Sequence, residues 1–271
     1  MAISLSFCTE ENRKTDMGKI VELIGPSGVG KSSLYLELQN RWKKSDNWAV
    51  YHDFVYRRKE RDITKFFLKV KSFWSKVFSS DYYWKEGRVK SAQKMFAEDH
   101  PEFMSVLMDL IYEHAKVGYN GEDKRFLVTF FSLKSIGRLQ NALQKKEDNR
   151  VCLIDEALIS RIMHINSPTF SEDQLKKYIN SMPLPDGLIF LNAPVDEILK
   201  RIQKRKTLST IHQGLTIGEI RELTANTQNL MKKATSYFDE IHIPVLQLDG
   251  TLSAVELANR SIEFMEGIGN T

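Results

Sequence analysis

Lys19-Ile20-Val21-Glu22-Leu23-Ile24 runs directly into Gly25-Pro26-Ser27-Gly28-Val29-Gly30-Lys31-Ser32, and Leu34, Tyr35, Leu38 and Trp42 follow at helical spacing. The order is an apolar strand, a G-x-x-x-x-G-K-S loop and a helix. Gly25, Gly28 and Gly30 admit backbone conformations closed to other residues, so successive N–H groups converge on an anion. A helix beginning near Lys31 adds the positive end of its dipole. The stretch predicts a phosphate-binding loop formed by Gly25, Pro26, Ser27, Gly28, Val29, Gly30, Lys31, Ser32 and Ser33. Lys31 is expected to reach the β and γ phosphates of ATP, and the Ser32 hydroxyl to ligate Mg2+. A glycine turn followed by a chance Lys-Ser is the plainer alternative, against which the flanking strand and helix argue.

Four further apolar, β-branched runs follow, over residues 48–52, 151–154, 188–191 and 244–248. Amphipathic stretches separate them, which predicts an α/β fold with a five-stranded parallel sheet covered on both faces. Capping boxes mark helix starts at Ser171 with Gln174, Thr216 with Glu219, and Ser253 with Glu256. A long helix is expected after Thr216, and the last helix is expected to stop at Gly267. About 100 residues separate the second and third strands, far more than a parallel crossover needs. A helical insert at about 57–147 is expected there, with helices over 63–78, 103–116 and 131–143, packed on a single domain spanning 1–271.

The chain has 271 residues and a formal net charge of +4, which does not by itself indicate nucleic acid. The charge is unevenly spread: residues 57–94 hold 12 Lys and Arg against 4 Asp and Glu. Two cysteines, Cys8 and Cys152, are too few for a disulfide framework. No apolar run suits a signal peptide or a transmembrane helix. A cytoplasmic location is the expectation, with peripheral membrane contact left open.

Three groups join the glycine loop as site candidates. Val151 to Ile154 delivers Asp155 and Glu156 to the carboxyl end of a strand, the edge where such sheets bind ligands. Asp155 is the expected second holder of Mg2+; a solvated acidic turn is the alternative. Asp53, with His52 at the end of the second strand, is a candidate general base, or a loop cap paired with Arg57 or Arg58. Arg201 and Arg205 share a helical face and would stabilise charge on transferred phosphoryl oxygens, or form a solvated basic helix end.

Gly25 to Ser32, Asp155, the Leu-x-Ala-Pro-x-x-x-x-x-x-Arg pattern from Leu191 to Arg201, and the Arg201/Arg205 pair together resemble the nucleoside and nucleotide kinase group of P-loop enzymes. Thymidylate kinases and deoxynucleoside kinases are the comparison. The resemblance implies a three-layer P-loop NTPase fold with strand order 2-3-1-4-5. It also implies a mobile lid at about 201–216, an acceptor pocket between lid and insert, and Asp53 as base. Asp155-Glu156-Ala157 departs from the Asp-Arg or Glu-Arg-Ser common in that group, and Arg161 is a candidate to substitute from the next turn. His52 to Arg58 replaces the Arg-Glu-Pro-Gly loop of thymidylate kinases, so an altered acceptor site is expected, with Arg57, Arg58, Glu156 and Arg161 on the acceptor side.

The leading expectation is an ATP- and Mg2+-dependent kinase acting on a small-molecule hydroxyl or phosphate, as a monomer or homodimer. Two alternatives stay open. The basic insert interleaves Phe66, Phe67, Phe73, Trp74, Phe78, Tyr82, Tyr83, Trp84 and Phe96 with cations, which suits a polynucleotide end kinase, an anionic membrane surface, an anionic acceptor or simply a solvated amphipathic helix. A nucleotide-hydrolysing switch in which Glu156 activates water is the other.

Overall fold

β1 (Ile20–Ile24) is buried along its whole length, as its near-continuous apolar sequence requires of a strand covered on both faces. A computed structural model describes residues 18–55, 91–115, 123–145, 148–165 and 170–270. Around β1 stand β2 (Trp48–Val50), β3 (Val151–Asp155), β4 (Gly187–Asn192) and β5 (Val245–Asp249). They form one five-stranded sheet in the order β2-β3-β1-β4-β5. Every pairing is parallel. The fold class, strand number and strand order are those expected.

The helices are α1 (Lys31–Arg41), α2 (Tyr51–Val55), α3 (Pro101–His114), α4 (Arg125–Leu143), α5 (Ile162–Ile165), α6 (Glu172–Ser181), α7 (Val195–Gln203), α8 (Ile217–Glu240) and α9 (Ala254–Gly269). Residues 91–99 are also helical, and short 3-10 turns occupy Ile159–Arg161 and Thr210–His212. α1 and α9 pack together over one face of the sheet. A Cβ on Gly187 would overlap Ile268 Cδ1 and crowd the Phe264 ring of α9, so α9 packs directly on the start of β4 and these side chains would have to shift to admit alanine. On the other face, α8 lies against β4 and β5, and the 159–161 turn lies against β1. α3 packs on α4 and α6, and α4 on α2 and the same turn. Phe103 joins this cluster edge-on to Phe96 and Tyr178, at 5.9 and 5.3 Å, within the preferred range for aromatic pairs.

Both halves of the capping box form at Ser171 and at Thr216. At Ser253 the hydroxyl accepts from the Glu256 N–H, while the Glu256 carboxylate turns to Arg260 at 3.0 Å. α9 runs through Gly267 to Gly269, which corrects the expected stop: Met265 and Ile268 are both buried, and one more turn of packing outweighs glycine's weak helix propensity. The second strand is also shorter than expected. It ends at Val50, and α2 begins at Tyr51. Tyr51 and Phe54 are both buried three residues apart, a helical spacing that strand alternation would not bury together.

Of the expected insert, the helix over 63–78, Arg57 and Arg58 lie outside the described residues, as does Cys8. Cys152 is buried and free. Among the described residues no helix is long and apolar enough to cross a membrane.

Candidate functional site

The strand order reverses at β1, and ligand sites in such sheets form beyond the carboxyl ends of the strands at that point. Residues 25–30 leave β1 there. Gly25 has φ 152, Gly28 φ 94 and Gly30 φ 120. A Cβ at Gly25 would overlap the Leu191 carbonyl oxygen, so the loop sits against β4 as closely as backbone permits. Gly30 is the N-cap of α1, which no side chain caps. Its carbonyl accepts from Ser33 and Leu34 at 3.0 and 3.1 Å. Lys31 is 6% exposed. Its ammonium folds back over the loop, donating to the carbonyls of Gly25 at 2.7 Å and Pro26 at 3.3 Å. Ser32 and Ser33 are exposed in the first turn of α1.

β3 pairs with β1 so that Asp155 lies opposite Leu23, two residues before Gly25. The Asp155 carboxylate oxygen Oδ1 is buried and without a hydrogen-bond partner among the described residues. Burial and the neighbouring Glu156 charge push this carboxyl up to about 6, against the pull of Lys31, Arg138 and Arg161. Glu156 behaves oppositely. Burial raises its carboxyl, but Lys31 and Arg161 outweigh that and hold it down at about 2. Its two oxygens lie 3.6 Å from the Lys31 ammonium and 2.8 Å from the Arg161 guanidinium, and 43% of the side chain still meets solvent. Glu156 adopts φ 58, a left-handed conformation that costs a non-glycine residue about 1–2 kcal/mol, and its carbonyl accepts from the Ser135 hydroxyl at 3.0 Å. Adjacent carboxylates with opposed shifts mark acid–base sites.

The loop, Lys31, Asp155, Glu156 and Arg161 are therefore brought together. Arg201 joins them from α7: its guanidinium donates to the carbonyls of Val29 at 2.7 Å and Gly250 at 2.9 Å, and its Nε to Glu197 at 3.1 Å. Arg201 is thus a helical residue bonded to the loop backbone, while Arg205 is exposed beyond the end of α7. The loop hydroxyl of Ser27 lies 3.3 Å from Ser209, whose hydroxyl meets His212 Nδ1 at 3.0 Å. This ties the 204–216 stretch to the loop. Asp53 is placed differently from expectation. It is 3% exposed within α2, three residues past the end of β2, rather than in the strand end itself.

Several residues at this edge carry no sequence motif. Arg138 of α4 donates to the Asp155 carbonyl at 3.1 Å and lies 4.7 Å from the centre of the Tyr51 ring, inside cation–π range. His164 stacks on Phe131 at 6.2 Å. Burial and Arg161 hold it down at about 3, so its imidazole is neutral at pH 7. Glu22 is buried beneath the site and stands out in the sequence as a charge within an apolar strand. Together the groups offer loop amides, a buried ammonium, an unpartnered carboxylate oxygen and a guanidinium-bound ionised carboxylate. Such a set can neutralise a polyanion and orient a nucleophile beside it.

No family model matches the chain, and no curated protein matches it.

Proposed function

We propose that the chain is a P-loop phosphotransferase that binds Mg2+-ATP on Gly25 to Ser33 and transfers the γ-phosphoryl group to a small-molecule hydroxyl or phosphate. The observation that carries this reading is the unpartnered Asp155 oxygen in the field of the buried Lys31 ammonium, at the carboxyl edge of β1 and β3. A glycine loop alone is a turn; with a buried ammonium and an orphaned carboxylate it is suited to a metal-bound polyphosphate. One carboxylate and one exposed hydroxyl, Asp155 and Ser32, fit Mg2+, which keeps waters and substrate oxygens in its shell. When bound, the ion neutralises charge between the β and γ phosphates.

The chain's own residues supply the rest. Lys31 already donates to two loop carbonyls and exchanges them for phosphate oxygens. Arg201 holds the Val29 carbonyl, which turns the N–H of the same peptide, that of Gly30, in the opposite direction and fixes the loop. Glu156 holds Lys31 and Arg161 in place through its two oxygens. Arg161 and Arg138 form the cationic side facing the acceptor, and Arg205 is free to approach from the 204–216 stretch.

A second reading, nucleotide hydrolysis, is favoured by one observation, the ionised and partly exposed Glu156 beside Lys31. Product analysis separates the two. With Mg2+-ATP and a panel of nucleosides, nucleotides, sugars and single-stranded oligonucleotides, a transferase gives acceptor-dependent ADP and a hydrolase gives free phosphate alone. Lys31→Ala is expected to lower ATP affinity at least about 10-fold, the loss of a charge-assisted contact of about 1.5–3 kcal/mol. Wild-type protein that binds no ATP at millimolar concentration would overturn both readings.

A further inference from the structure

Glu22 is the single charged residue of β1, and it is 2% exposed. Core packing gives no reason for a carboxyl there, since a buried charge is costly unless it is bonded. Glu22 is bonded in one specific way. Its Oε2 accepts the Ile159 N–H at 3.1 Å and its Oε1 the Ser160 N–H at 2.9 Å. These two amides open the 3-10 turn that ends in Arg161. Arg161 is buried and reaches Glu156 at 2.8 Å, and Glu156 in turn faces Lys31. A continuous set of contacts therefore runs from the middle of β1, through a backbone turn, to the ammonium over the glycine loop.

We propose that Glu22 is a positioning residue: its carboxylate fixes the Ile159–Arg161 turn, hence Arg161 and Glu156, and this hold weakens when Glu22 takes up a proton. The functional consequence rests on the phosphotransferase reading above; the positioning itself does not. An ionised carboxylate presents acceptors to both amides, whereas a protonated one converts one oxygen into an O–H donor that faces an N–H donor. Burial pushes the Glu22 carboxyl from 4.5 up to about 7, against the lowering pull of the Ser160 and Ile159 bonds and of Arg161, so the change falls near neutral pH. The other ionisable groups facing Glu22 are Arg161 and Tyr178 of α6. Burial pushes the Tyr178 phenol far up, and it donates to the Leu158 carbonyl just before the turn at 2.9 Å. The phenol therefore keeps its proton between pH 5 and 9.

Nuclear magnetic resonance of the full chain tests this. The Ile159 and Ser160 amide resonances and the Arg161 Nε–H resonance are followed from pH 5.5 to 8.5 in wild type and in Glu22→Gln. In wild type the three are expected to shift together with a midpoint near 7. In Glu22→Gln the Ile159 and Ser160 amides are expected to stay still near 7, and Arg161 Nε–H to keep only the movement that Asp155, near 6, imposes on it. A wild type in which they do not titrate together, or a Glu22→Gln protein in which they still do, would overturn the proposal. The wild-type titration stands alone if the variant fails to fold. Added Mg2+-ATP probes the other reading separately: if it moves no resonance of residues 25–33 while the three signals still titrate, the nucleotide assignment fails and the positioning role holds.

Discussion

At Gly25 a single missing Cβ decides whether the loop can lie on β4. The obstacle to alanine is the Leu191 carbonyl, part of a paired strand that cannot move without breaking its ladder. At Gly28 the obstacle is Ile202 Cγ1, 2.7 Å from an added Cβ, with Ile198 Cγ2 at 3.2 Å, side-chain atoms of α7 that can give more readily than a paired strand. Both positions have positive φ, so the backbone strain is shared and the difference is steric. Gly25→Ala is therefore expected to cost about 2–4 kcal/mol and Gly28→Ala about 1–2 kcal/mol. Urea unfolding of the two variants gives the order, and equal losses would show that the loop does not press on β4. At this scale the loop was readable because its chemistry is local: glycines, Lys31 and Ser32 lie within eight residues. Glu22 was not readable in the same way. Its partners are 137 and 138 residues away, and no local pattern announces a backbone turn as the acceptor's purpose.

The elements were legible where periodicity and caps agree. β1, β3, β4 and β5 appear within a residue of expectation, and the α6 and α8 capping boxes form as read. α2 was missed because Tyr51 and Phe54 are β-formers by composition and become helical through burial against the core. Residues 201–216 were expected as a lid; 201–203 are instead the end of α7, and the tie of the rest to the loop is what sequence spacing does not reveal: Ser27 and Ser209 are 182 residues apart. Ser209 sits between Ser27 and His212, so Ser209→Ala removes both bonds at once. Lys204, Arg205 and Lys206 are exposed beside it, which makes trypsin a reporter of how often this stretch opens. Cleavage there is expected to run several-fold faster in Ser209→Ala, for a loss of about 1 kcal/mol, with global stability nearly unchanged. An unchanged cleavage rate would mean that the two bonds do not hold the stretch down.

Across the whole molecule the buried ionisable groups pull stability in opposite directions with pH. A carboxyl raised in the folded state binds a proton that the unfolded chain has released, so Glu22 favours folding most below pH 4.5 and loses that contribution as pH rises to about 7. The histidines have the reverse sign. Burial lowers His164 to about 3 and His212 to about 4, so their contribution is full above pH 6.5 and is lost as pH falls towards those values. Glu156, lowered to about 2, contributes above pH 4.5 and fails only in stronger acid. Between pH 4.5 and 6 the falling slopes of Glu22 and of Asp155, raised to about 6, oppose the rising slopes of the two histidines, and wild-type stability should be nearly flat. Glu22→Gln removes one falling slope and leaves the others. Its stability relative to wild type is therefore expected to improve by on the order of 3 kcal/mol between pH 4.5 and 7.5, and then to stay constant. Urea unfolding of both proteins at half-unit pH steps measures this difference directly; a gap independent of pH would mean that Glu22 keeps the same charge folded and unfolded, and that the bonds from Ile159 and Ser160 outweigh its burial.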